Sequence, residues 1–247
     1  MKQVLLACFL GLCFPSVSAL AESTQVFDIE GAWVFPGYND VRIPGDSGTT
    51  LSLTEALSAD SFPAFRARYT MTMSGKHDIS LLAAFLTMRS DGTLDRDADF
   101  NGTTFSAGTP LESTFRFNSY RLTYRYLLFD SPKFKFRAGV SAKVRDAAIR
   151  LKGGGQESEN TDLGLVPLIS FSSIWLAHPR LHLVLDGDAL AAPQGRAEDV
   201  LLAAVAPLND HVSLKVGYRI LEGGADNDKV YTFSLFHYAV AGMMVRF

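Results

Sequence analysis

Cysteine is nearly absent from this chain. Its two copies, Cys8 and Cys13, both fall within the first 21 residues. The remainder can therefore form no disulfide, thiol nucleophile or Cys-ligated metal site. Long apolar runs are also missing: beyond that first segment none approaches the roughly eighteen residues of a spanning helix. Nor is there a surplus of base. The 23 basic residues less Lys2 stand against 26 acidic ones, with no basic tail to hold a nucleic acid. Histidine is limited to His77, His178, His182, His211 and His237. These shortages exclude a helical membrane protein and a disulfide scaffold. The length beyond residue 21 suits one barrel or one to two soluble domains.

The N-terminus is a leader by composition. Met1-Lys2-Gln3 is a basic start, and Val4 to Phe14 is a short apolar core. Ala19-Leu20-Ala21 then puts small residues at both positions a signal peptidase reads. Residues 1–21 are expected to be cleaved before Glu22, leaving 22–247 as a single domain. Leu5-Leu6-Ala7-Cys8 has the form of a lipoprotein cleavage motif but lies too near the start to leave an apolar core ahead of it.

Alternation is what the chain has in abundance. In Val230 to Phe247, Tyr231, Phe233, Leu235, Ala239, Ala241, Met243, Val245 and Phe247 share one face, which only His237 breaks. A period of two is a strand signal, and this run far exceeds the usual five or six residues. The same beat recurs at 27–35, 65–73, 79–85, 120–128, 134–145 and 212–220, and less cleanly near 159–176, 179–190 and 197–207. Pro167 in the first of the unclear segments predicts a bulge or an exposed ladder position. Short links are expected at 74–76, 130–133, 177–180 and 208–211. Longer loops are expected at 37–61, 90–113, 152–159, 191–196 and 222–228. The total is ten strands, or eight if one unclear pair is loop.

The ending Gly242-Met243-Met244-Val245-Arg246-Phe247 resembles the C-terminal assembly signal of bacterial outer-membrane β-barrels, carried by Gly242, Val245 and Phe247. With the leader and the alternation, the chain resembles that class throughout, without resembling one subfamily. The resemblance implies an all-β, antiparallel, up-and-down transmembrane barrel in the outer membrane of a Gram-negative cell. Its expected surroundings are outer-membrane lipid and lipopolysaccharide, with the barrel-assembly machinery engaged during biogenesis. No cofactor is expected.

In such a barrel the charged face of each strand must line the lumen, because Arg or Lys at the bilayer midplane costs about 2–4 kcal/mol. Parity places Arg66, Arg68, Arg121, Arg125, Lys135, Arg137, Lys143, Arg145, Lys215 and Arg219 there. Opposing them stand Asp28, Glu30, Asp78, Asp186 and Asp188. Asp28 and Glu30 should neighbour Arg66 and Arg68, and Arg246 once the barrel closes. This assignment leaves a surplus of about five positive charges, which would favour anions if water threads the bore. Barrels of eight strands are just filled by side chains, so ten strands should give a mostly filled bore. Trp33, Tyr69, Tyr126, Phe134, Trp175 and Tyr218 suit interfacial girdles. A soluble lipocalin-like carrier with the opposite facing is the alternative, but such barrels have eight strands and no use for the terminal motif.

Catalysis on this scaffold would take omptin, lipid A deacylase or palmitoyl transferase form, all of which work at the outer rim with a histidine. Here His77, His178, His182 and His211 lie in or near short turns. His237 is mid-strand on the lipid side, so no general base stands where those enzymes need one. Asp186-Gly187-Asp188 reads as a lumen salt-bridge pair, and the protein as no enzyme. Asp97, Asp99 and Asn101 before Gly102 match the first half of a calcium loop, yet Gly108 stands where a bidentate Glu is needed. Gly153-Gly154-Gly155 reads as a flexible loop tip. The expected role is an envelope barrel whose external loops bind a partner or admit small solutes.

Overall fold

The computed structural model describes residues 23–247. The leader assigned to residues 1–21, with both cysteines, lies outside the described residues. Ten long strands form the wall: β1 (Ser23–Arg42), β2 (Phe62–Met73), β3 (His77–Phe85, continued by Thr87–Thr93), β4 (Pro110–Asp130) and β5 (Phe134–Gly153), then β6 (Gln156–His178), β7 (Leu181–Ala192), β8 (Gly195–Pro207), β9 (Val212–Asn227) and β10 (Val230–Arg246). Each pairs antiparallel with its chain neighbours, and β10 closes on β1 with Val26 opposite Arg246. The expected ten-stranded antiparallel barrel is the observed fold.

The registers set its shape. A path crossing the wall at right angles runs Gln25, Met71, Ile79, Tyr124, Val140, Ile169, Ala189, Glu198, Glu222, Leu235 and returns to β1 at Tyr38. That is thirteen positions up β1 from its start, one of them inserted by the bulge between Pro36 and Tyr38. A stagger this large goes with strands tilted by about 40°. The bulge also switches the parity of β1. Glu30 and Val34 are buried below it, and Asn39 and Val41 above it.

The outward face carries an apolar band. Phe27, Tyr126, Phe129, Phe134, Trp175 and Phe247 ring its lower edge, and Trp33, Phe35, Phe65, Phe85, Tyr120 and Tyr218 its upper edge, all exposed. Between them lie Leu81, Leu122, Val140, Leu202 and Val216, exposed as well. Such a surface in water would aggregate. A band of about 25 Å flanked by aromatic girdles is what lipid requires.

The expected short links at the lower end are present. At the upper end, three of the five expected loops are instead two-residue turns, at 154–155, 193–194 and 228–229. The strands continue well past the membrane, because cross-strand polar pairs such as Arg150 with Glu159 sustain a sheet in water as well as in lipid. Gly154 and Gly155, with φ of 59° and 79°, form the left-handed pair that a tight hairpin demands, so this tip is a fixed turn. Ser74 and Gly75 do the same at 50° and 67°. Pro167 pairs with Ala142 without a register shift and lies just beyond the last pairing of β6 with β7, at an open ladder position.

Only segments 43–61 and 94–109 remain as substantial connections, and both fold into the barrel mouth. Leu53, Leu57, Phe100 and Phe105 from these segments are buried against Val34, Val41, Met88, Leu111, Phe115, Leu151 and Phe236 of the wall. The second segment contains a small hairpin, Ala98–Phe100 with Thr103–Phe105, turning on Asn101 (φ 47°) and Gly102 (φ 78°). In this apolar cap Asn39 is fully buried with neither its amide nitrogen nor its oxygen bonded. An unmet buried polar group costs about 1–3 kcal/mol. Asn39→Leu is therefore expected to raise the urea midpoint, and a lowered midpoint would show that the amide is satisfied.

Candidate functional site: the lumen ion network

Below the cap the lumen is a network of ion pairs. Its centre is Asp199 on β8, which accepts from three guanidinium groups: Arg66 Nη2 at 2.9 Å, Arg121 Nη2 at 2.6 Å and Arg219 Nη1 at 2.6 Å. Glu30 takes Lys215 Nζ at 2.7 Å and Arg219 Nη2 at 2.8 Å, with Arg66 Nε at 3.6 Å. Arg219 thus bridges the two acids. Asp188 accepts from Arg121 Nη1 at 2.7 Å and from Ser170 Oγ at 2.5 Å. Asp186 holds Arg125 at 2.5 Å and Arg68 at 2.8 Å. Toward the lower end, Lys215 reaches Asp28 at 2.6 Å and Arg137 reaches Asp78 at 3.0 Å.

The strands place these groups by alternation alone. Glu30 faces Arg66 across β1 and β2, and Asp28 faces Arg68. The nearest residue in register is not always the partner, since Asp28 bonds Lys215 across the barrel closure instead. Arg246, expected beside Asp28 and Glu30, pairs with Val26 at the exposed lower rim. Lys135 and Arg145 also lie away from the buried network. Lys135 meets Asp130 at 3.3 Å in a half-exposed pair, and Arg145 is paired with Asp162, which is more than half exposed. Among the described residues no carboxylate pairs with the buried Lys143, which lies 4.5 Å from the centre of the Phe117 ring.

Asp199 is the residue that sequence reading misses, and it changes the charge balance. Within the buried and half-buried network eight bases, Arg66, Arg68, Arg121, Arg125, Arg137, Lys143, Lys215 and Arg219, face six acids, Asp28, Glu30, Asp78, Asp186, Asp188 and Asp199. The expected surplus of about five shrinks to two. The signal in the sequence was weak because Glu198 and Asp199 are adjacent, and Val200 to Val205 is apolar on both faces. In the structure Asp199 alternates inward with Leu201, Ala203 and Val205, a parity that the two-faced apolar run conceals in the sequence.

The other candidates resolve simply. Asp97 accepts from the backbone of Ala107, Asp99 from the hydroxyl of Thr104, and the Asn101 amide donates to the Glu159 carbonyl. The two carboxylates hold the cap segment and the Asn101 amide ties it to β6, and among the described residues no group of His, Cys, Asp and Glu is gathered as a metal would require. His77 and His237 face outward on Tyr124 (2.9 Å) and Tyr218 (2.6 Å). His211 bonds the Arg246 carbonyl, and His178 accepts from the Arg180 amide. Above the membrane, Tyr38 donates to Glu222 at 2.5 Å and Arg196 chelates the same carboxylate. Partial burial and that carboxylate push the Tyr38 hydroxyl above its ordinary pKa, so it remains a donor.

No family model matches the sequence, and no curated protein does. Several solved structures are similar to this one. The structure is similar to the attachment invasion locus protein Ail of Yersinia pestis, solved with the heparin analogue sucrose octasulfate, at 10% identity over 92% of this chain and 99% of that one, TM-score 0.38. It is also similar to Neisserial surface protein A (13% identity, 90% and 97% covered, TM-score 0.30). A third similar barrel is the transport unit of the Escherichia coli autotransporter AIDA-I, at 8% identity, with 90% and 89% covered and a TM-score of 0.39. The girdled apolar band and the closed wall are themselves the construction of an outer-membrane β-barrel.

Proposed function

We propose that the protein is a closed, non-catalytic barrel of the outer membrane that acts through its extracellular surface, with the wall serving as anchor. The observation that carries this reading is the double seal: the Asp199–Glu30 ion network fills the membrane-level lumen, and two connections pack an apolar cap above it. A conduit would have to break both. Against catalysis stands the histidine placement: among the described residues none of the five is hydrogen-bonded to a carboxylate, so none is set as a general base. Export by the leader, and recognition of Gly242, Val245 and Phe247 by the assembly machinery, belong to the same reading. Phe247 is exposed at the lower girdle, its amide bonded to the Gln25 carbonyl at 2.9 Å.

The test is electrical. Purified protein reconstituted into planar bilayers is expected to give no steady conductance at moderate potentials. Long-lived, uniform current steps in wild-type protein would show an open bore and overturn the closed reading.

A further inference from the structure

The extracellular extension of the wall bends into an outward groove of about 1230 Å³, large for a small-molecule site. Its floor is two cross-strand rows. One runs Arg89, Thr114 and Arg150, the other Asp91, Glu112, Lys152 and Glu157. The segment from Ser58 to Pro63 forms one side, and the fixed turn at 154–155 the other. Arg150 and Glu157 face each other loosely at 3.5 Å. Among the described residues, no hydrogen bond or ion pair engages the side chains of Arg89, Asp91, Glu112 or Lys152.

Two properties select the ligand. With Asp60, four acids share the groove with three bases. A polyanion without hydroxyls would meet four like charges and three opposite ones, and a polycation the reverse, whereas a sugar bearing acidic groups can set its hydroxyls against the acids and its anions against the bases. Unengaged guanidinium, ammonium and carboxylate groups side by side donate and accept hydrogen bonds in pairs, which matches neighbouring hydroxyls on a sugar ring. The second property is position. The groove faces the same way as the lipid band and begins directly above its upper girdle. Pro63 lies two residues from Phe65 on β2, and Thr87 two from Phe85 on β3. Ser61, on the groove side, accepts the indole N–H of Trp33, itself a girdle residue, at 2.8 Å. A headgroup whose chains cover Phe65, Phe85 and Tyr120 would enter the groove without leaving the leaflet.

We infer that this groove binds the saccharide headgroup of an outer-leaflet glycolipid. The assignment rests on the placement of the barrel in the outer membrane, and not on its being closed. The full chain in detergent micelles is titrated with three probes: rough lipopolysaccharide, its delipidated core oligosaccharide, and phosphatidylglycerol. Rough lipopolysaccharide is expected to bind at least tenfold more tightly than the other two. The double variant Arg89→Ala with Glu112→Ala is expected to weaken it at least tenfold, while Arg196→Ala, outside the groove, leaves it unchanged. Both groove residues are exposed, so heat-modifiable mobility on unboiled gels should match wild type. Should the double variant fail that check, Glu112→Gln is read in its place. Equal binding by groove variant and wild type overturns the assignment, as does equal binding of phosphatidylglycerol. Equal affinity for the free oligosaccharide overturns its source in the leaflet. Conductance in bilayers would overturn the closed-barrel reading and leave this one standing.

Discussion

Asp199→Ala is expected to lower stability by about 3–5 kcal/mol, read as a reduced urea midpoint for protein folded in detergent. Removing this carboxylate leaves Arg66, Arg121 and Arg219 converging on a site that has lost its central acid. The buried like charges then repel in a medium of low effective dielectric. Glu30 still holds Arg219, and Asp188 still holds Arg121, so the strands keep their registers while the centre loosens. In bilayers the same variant is expected to remain closed, because the apolar cap above the network is untouched. Asp199→Asn should fall between, keeping an acceptor and losing the charge. An unchanged midpoint for the alanine variant would mean that the three arginines are not held by this residue, and the proposed seal would fail with it.

Phe236→Ala is expected to cost about 3–5 kcal/mol as well, by a different route. The ring is 1% exposed. It meets Phe62 of β2 edge-on at 6.3 Å and Phe115 of β4 at 5.9 Å, linking three wall strands at the mouth. Truncation would leave a void bounded by rigid strands, which cannot collapse to refill it. Segment 94–109 should then become sensitive to added protease before the barrel unfolds, because its packing surface is lost while the ladder around it persists. Phe236→Leu should recover much of the loss. Protease resistance and stability equal to wild type would show that the mouth is not packed in this way.

These two residues illustrate how unevenly the structure was legible. Phe236 lies in the longest clean alternation, and its parity opposite Tyr231 and Phe233 can be read directly. The cap it supports could not be, because 43–61 and 94–109 look like loops. One local signal was available and pointed elsewhere. Asn101-Gly102 is a strong hairpin dipeptide, and reading it inside a half-matched calcium loop hid the turn that it makes. Gly154-Gly155 is the parallel case, a tight turn that reads as a flexible tip when the strands are assumed to stop at the membrane.

Antiparallel order and the charged face of each clean strand are written in the amino-acid order, because a two-residue period is a property of neighbours along the chain. Lipid then forces that charge inward. Which acid meets which base is settled only when the barrel closes. The tilt and stagger bring residues far apart in sequence to one height: Asp199 meets Arg66 and Arg121, and Lys215 meets Asp28 across the closure. Register between strands is set by turns, bulges and the geometry of closure together, and no single stretch of sequence contains it.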